Sequence, residues 1–109
     1  MTDLPLSIDV AAFDAWRKNG TEFALLDVRD PWELEICSLP EALTIPLQEL
    51  PRRWGELPAD KPLVVVCHHG MRSLHAVHWL RQQGMDRALN LAGGIDAWAR
   101  QIDPSMGVY

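Results

Sequence analysis

Leu63-Val64-Val65-Val66-Cys67-His68-His69-Gly70-Met71-Arg72-Ser73 is the stretch on which the reading of this chain turns. A β-branched run follows a proline, shows no alternation and stops at a cysteine, which is the pattern of a short strand buried on both faces of a parallel sheet. From Ser73 to Gly84 the period changes to 3.6, so that Ala76, Val77, Leu80 and Gly84 share one face and His75, His78 and Gln82 the opposite one. Ser73 is the expected N-cap of this helix and Gly84 its C-terminal stop. The pattern is strand, loop, helix, with the Cys67 thiol at the strand's carboxyl end and facing a helix N-terminus.

Such a loop favours an anion, because its amides and the first-turn N–H groups lack backbone partners. Cys67 supplies that anion when it ionises, and the helix end together with Arg72 is expected to lower the thiol pKa. A cysteine just ahead of a polar, glycine-containing loop points to a nucleophile rather than to a small buried hydrophobe. Gly70 is expected to give a positive φ or a close backbone approach where the ring closes. Arg72 either partners the anion or clamps a neighbouring carboxylate, and both readings stay open.

Outward from this centre, strands and helices alternate. Leu6-Ser7-Ile8 is a short extended start, and Asp9 caps a helix carrying Val10, Phe13 and Trp16 that ends at Asn19-Gly20. Phe23-Ala24-Leu25-Leu26 is a second buried strand, finishing in the polar turn Asp27-Val28-Arg29-Asp30-Pro31. Pro31 opens one or two helical turns over Trp32 to Ile36, with Asp30 and Glu33 as turn and helix-start acids. Leu43-Thr44-Ile45 is a short strand, Leu47 to Trp54 a helix broken by Pro51, and Pro58 and Pro62 bracket the connection into the central strand. Ala88-Leu89-Asn90-Leu91 is the last strand, and Ile95, Trp98, Ala99 and Ile102 mark the inner face of the last helix, stopped by Asp103-Pro104. The five tryptophans are expected to pack helices on the sheet, and Ser105 to Tyr109 to cover an edge without a functional part. The alternation implies an α/β fold with a mostly parallel sheet, helices on both faces, and Asp27 and Cys67 at one carboxyl edge.

The 109 residues fit one domain spanning 1–109, large enough for a core without disulfides or metal. Ten basic against fifteen acidic side chains give a net charge of −5, which argues against nucleic acid and anionic lipid as partners. Cys37 and Cys67 are too few for a disulfide framework, and Met1 to Pro5 shows neither a basic leader nor a long apolar run. The expectation is a cytoplasmic protein without a membrane span, monomeric for want of a heptad seam. His68 and His69 lack the ligand spacing of a zinc site with Cys67, so no metal is expected and both histidines are taken as loop-lining. Cys37 is expected to be an inert packed thiol, the alternative being a resolving partner for Cys67.

Cys67-x-x-Gly70-x-Arg72-Ser73 after a hydrophobic strand resembles the active-site loop of the rhodanese (sulfurtransferase) domains. The ordered set Asp27-Val28-Arg29-x-Pro31-x-Glu33, Pro40-x-Ala42, Ile45-Pro46 and Gly93-Gly94-Ile95-x-Ala97-Trp98 extends the resemblance over most of the chain. It implies a single-domain, five-stranded rhodanese-like fold and a sulfurtransferase. Cys67 would take sulfane sulfur from a donor such as thiosulfate or a persulfide, hold it as a covalent persulfide, and pass it to a thiol, cyanide or protein acceptor. No further cofactor is implied. Backbone amides from His68 to Ser73, in a loop of His68, His69, Gly70, Met71, Arg72 and Ser73, would hold the persulfide charge, with Asp27 and Arg29 as supports. The related dual-specificity phosphatases carry five residues between Cys and Arg, against four here, which favours sulfur over phosphatase or arsenate reductase chemistry. A non-catalytic rhodanese-like binding module is the alternative of another class, and retention of Cys67, Gly70 and Arg72 speaks against it. The chain departs from the family at Cys37-Ser38-Leu39-Pro40-Glu41-Ala42, where many relatives read Gly-His-Ile-Pro-Gly-Ala.

Overall fold

The computed structural model describes residues 4–109. Five strands, β1 (Ser7–Ile8), β2 (Ala24–Asp27), β3 (Leu43–Thr44), β4 (Leu63–Val66) and β5 (Ala88–Leu91), form one sheet in the order β1-β5-β4-β2-β3. Every neighbouring pair is parallel, and Asp27 is in register with Val66, so β2 and β4 finish side by side. The helices are α1 (Val10–Asn19), α2 (Pro31–Ile36), α3 (Leu50–Arg53), α4 (Met71–Gln82) and α5 (Gly94–Gln101). Asp9 caps α1 by accepting from the Ala12 amide at 2.8 Å, and Gly20, at φ 80°, ends it.

Successive residues of the central strands go to opposite layers. Leu25, Val64, Val66, Leu89 and Leu91 pack with Val10 and Phe13 of α1 and Ile95 and Trp98 of α5. Leu26, Leu63, Val65, Cys67 and Ala88 pack with Leu50 of α3 and Ala76, Val77 and Leu80 of α4. Burial on both faces explains why β4 is apolar throughout instead of alternating. Cys67 is the first residue past that strand.

Several boundaries differ from the sequence reading. The second strand runs from Ala24 to Asp27 and excludes Phe23, whose ring packs edge-on against Phe13 with centroids 5.1 Å apart. α4 starts at Met71 with Gly70 as N-cap, so Ser73 lies inside the first turn and does not cap it. Gly84 follows the C-cap residue Gln83 at φ +100° and is exposed, so it ends the helix without joining its buried face. Trp32 is 57% exposed and packs no helix on the sheet, unlike Trp98 at 3%. Leu47 to Glu56 forms 3-10 turns on either side of the four-residue α3, and Pro51, with no N–H to donate, lies in the first turn of α3. Among the described residues no helix is long and apolar enough to cross a membrane.

The start of α5 fixes the loop after β4. The Ile95 amide donates to the Cys67 carbonyl at 2.9 Å and the Asp96 amide to the His68 carbonyl at 3.0 Å. This approach is possible because residue 94 is glycine: at φ +64°, a Cβ would sit 2.5 Å from the Cys67 carbonyl oxygen and closer still to that of His68. Gly94→Ala should therefore cost about 2–4 kcal/mol through the left-handed backbone and the overlap together. Urea denaturation reads this as a lower midpoint, and an unchanged midpoint would contradict the close packing.

Candidate active site

Cys67 is 1% exposed, and its Sγ accepts a hydrogen bond from the Gly70 amide at 3.1 Å and lies 3.2 Å from Ser73 Oγ. The chain reaches this geometry by turning at Gly70, whose φ of +104° is open to glycine and whose absent side chain leaves the Gly93 nitrogen 3.2 Å from where a Cβ would be. Of the loop amides expected around the sulfur, the Gly70 amide is the one bonded to it among the described residues. The second contact is a side-chain hydroxyl.

Among the described residues Arg72 makes no hydrogen bond to the sulfur. Its guanidinium holds the Glu33 carboxylate in a two-pronged contact at 2.6 and 2.7 Å, so the clamp reading of Arg72 is the one the fold adopts. Glu33 is 2% exposed and also accepts from its own helix start, the Asp30 amide at 2.9 Å, and from the Tyr109 hydroxyl at 2.7 Å. The Arg72 contact, against the opposing pull of burial, holds the Glu33 carboxyl down at about 2. Behind it lies a second, fully buried pair. Arg29 Nη2 meets Asp27 at 2.7 Å and the Cys37 carbonyl at 2.8 Å, while Nη1 donates to the Tyr109 oxygen at 3.0 Å. Burial alone would discourage the Arg29 charge, but Asp27 and Tyr109 outweigh it. Tyr109, pushed up to about 12 chiefly by burial, keeps the proton it gives to Glu33.

A rhodanese-like domain model matches residues 9–101. The chain belongs to the rhodanese-like domain family. A sulfurtransferase of Allochromatium vinosum is 46% identical over 76 residues, 70% of this chain and 71% of that protein. A probable adenylyltransferase/sulfurtransferase of Mycobacterium tuberculosis is 38% identical over 86% of this chain, which spans only 24% of that longer protein. Among solved structures, a rhodanese-related protein of Thermoplasma volcanium superposes with a TM-score of 0.79 at 36% identity, covering 90% of this chain and 94% of its own. The five-stranded α/β architecture is that of the rhodanese-like fold.

Within this rhodanese-like domain the other loop residues take separate places. Met71 is 65% exposed at the first turn of α4. The His68 ring is stacked between His69, at 3.9 Å, and Tyr109, at 3.8 Å and nearly parallel. Burial and the neighbouring His69 push His68 below the usual imidazole range. His68, His69 and Asp96 bring possible ligand atoms within 4.8 Å of one another. A bound cation must lie in the plane of each imidazole that ligates it, and rings stacked face to face, tilted by 28°, do not offer one shared point. The Asp96 carboxylate is moreover held by Arg100 at 3.0 Å. Cys37 packs with Val64 and Val66 in the layer opposite Cys67, its sulfur 3.8 Å from Arg29.

Three residues at this site carry parts that the sequence reading did not give them. Glu33 anchors Arg72 as well as starting a helix. Tyr109, from the segment expected to cover an edge, stacks on the loop and bridges Arg29 to Glu33. Asn90 bonds Ser73 from within β5, and a polar residue inside Ala88-Leu89-Asn90-Leu91 was a visible sign of a buried partner.

Two outcomes follow from the charge network. Because the Glu33 carboxyl is depressed from an ordinary 4.5 to about 2, its stabilisation is complete above pH 4.5 and lost as pH falls toward 2. Acid titration of stability should therefore show a loss of about 3 kcal/mol in that window for the natural chain, and Glu33→Gln should remove that pH dependence. Tyr109→Phe should lower stability by about 1–3 kcal/mol by leaving Arg29 and Glu33 each short of a partner. Equal urea midpoints for Tyr109→Phe and the natural chain would show that the phenol is not held as described.

Proposed function

We propose that this domain is a sulfurtransferase that carries sulfane sulfur on Cys67. The observation behind the reading is the sulfur's placement at the end of β4, with the Gly70 amide at 3.1 Å and the Ser73 hydroxyl oxygen at 3.2 Å. Such donors stabilise one negative charge on sulfur. The Cys67 thiolate attacks the outer sulfur of a donor such as thiosulfate; a new S–S bond forms, the donor's S–S bond breaks, and sulfite leaves with the electron pair. An acceptor thiolate or cyanide then attacks the terminal sulfur, the Cys67 S–S bond breaks, and the Cys67 thiolate returns. No general base is required once the thiol has ionised.

A cleft of about 230 Å³ beside the loop, lined by Val28, Asp30, Leu47, Gln48 and Arg72, gives small donors and acceptors room at this edge. A protein acceptor would meet Trp32 and Met71, which stand exposed beside the same loop. The Arg72–Glu33 pair counts against phosphatase chemistry, because a dianion would find the guanidinium already neutralised.

Intact-mass analysis after thiosulfate treatment should show the gain of one sulfur atom, removable by cyanide and absent in Cys67→Ser. No gain with thiosulfate or with low-molecular-weight persulfides would leave the domain as a binding module and end this proposal.

A further inference from the structure

Asn90 is 4% exposed, in a strand whose other residues are apolar. Its Oδ1 is hydrogen-bonded by the Ser73 hydroxyl, and its Nδ2 lies 3.4 Å from Ser7 Oγ on β1. Ser73 is fully buried, and its oxygen is within reach of both Asn90 Oδ1 and Cys67 Sγ. One hydroxyl proton cannot serve both. While Cys67 is protonated the arrangement closes on itself: S–H donates to Ser73 Oγ, and Ser73 donates to Asn90 Oδ1. Once the sulfur is anionic the hydroxyl must turn to it, which leaves Asn90 Oδ1 facing the lone pairs of Ser73 Oγ at close range. An amide resolves that conflict by turning over, so that Nδ2–H faces Ser73 and Oδ1 faces the Ser7 hydroxyl, itself a donor.

We infer that Asn90 is a positioning residue acting through Ser73, its amide presenting oxygen to the hydroxyl while Cys67 is protonated and nitrogen once the sulfur is anionic. The inference rests on Cys67 being the reacting thiol, but not on the identity of the sulfur donor. The charged and titratable groups around Cys67 are Arg72 of α4, held by Glu33 of α2, the Asp27–Arg29 pair at the end of β2, His68 and His69 in the loop, and Asp96 of α5. Among the described residues none of these is hydrogen-bonded to Ser73 or Asn90. The hydroxyl's direction is thus shared between the sulfur and the Asn90 amide.

Asn90→Asp keeps the shape but offers only acceptors, so it should hold the Ser73 proton away from the sulfur. Iodoacetamide labelling of Cys67, followed by peptide mass, should slow about tenfold at pH 7, with the pH profile displaced about one unit toward alkaline. In a Ser73→Ala background the same substitution should displace the profile no further than Ser73→Ala alone. Labelling of Asn90→Asp at the natural rate overturns the inference, and so does an equal displacement in both backgrounds, which is what plain charge repulsion would give. If Asn90→Asp does not fold, the natural chain still decides by NMR. The Asn90 side-chain amide protons should move with the labelling midpoint, near Ser73 when the sulfur is anionic and near Ser7 when it is not; pH-independent signals overturn the inference. Labelling reads the thiol alone, so a failure to accept sulfur from thiosulfate would fall on the proposed function and not on Asn90.

Discussion

The first two peptide units after β4 are held by their carbonyls. The amides of Ile95 and Asp96 at the start of α5 take the Cys67 and His68 oxygens at 2.9 and 3.0 Å. Because a trans peptide is planar, holding those oxygens fixes the orientation of the two peptide units that begin the loop. The turn at Gly70 then brings one amide onto the sulfur. Two glycines make this possible, Gly94 by letting helix and loop backbones touch and Gly70 by accepting φ +104° against Gly93. The surroundings of Cys67 thus depend on a helix that supplies no side chain to the sulfur.

A layer of charge braces the same edge from the other side. Asp27 and Arg29 lie at the end of β2, Glu33 in α2, Arg72 in α4, and Tyr109 links the two pairs. An isolated buried ion pair is weak support, since desolvation offsets most of the attraction. Here each charge has further partners, including the Cys37 and Glu33 carbonyls for Arg29 and the Asp30 amide for Glu33, so the network is nearly complete. Its effect is to tie the short α2, which has only six residues, to the loop and to α4.

How much of this was legible in the sequence depends on how far each partner lies along the chain. The Val64 to Val66 run, the 3.6 period after it and the Asp9 cap are local, and they gave the sheet, α4 and α1 to within a residue or two. Ser73 looked like a cap because serine before an apolar period usually is one; its true partners, Cys67 and Asn90, are set by the fold. Arg72 finds Glu33 39 residues away and Tyr109 finds Arg29 80 residues away, separations at which no periodicity speaks. Trp32 resembled the other tryptophans in sequence, yet it flanks Tyr109 at the surface because the face of α2 toward the core is taken by Glu33.

The distribution of charge also bears on which anion the loop suits. Among the described residues two neutral groups contact the sulfur, and the loop's guanidinium, Arg72, is matched by a carboxylate it cannot leave without stranding a buried charge. A species with one negative charge on a small, polarisable atom is well served by an amide and a hydroxyl. A dianion with three oxygens asks for several more donors and an uncommitted cation. Loop length and charge pairing therefore act in the same direction: only four residues separate Cys67 from Arg72, and Glu33 holds the arginine in a two-pronged ion pair.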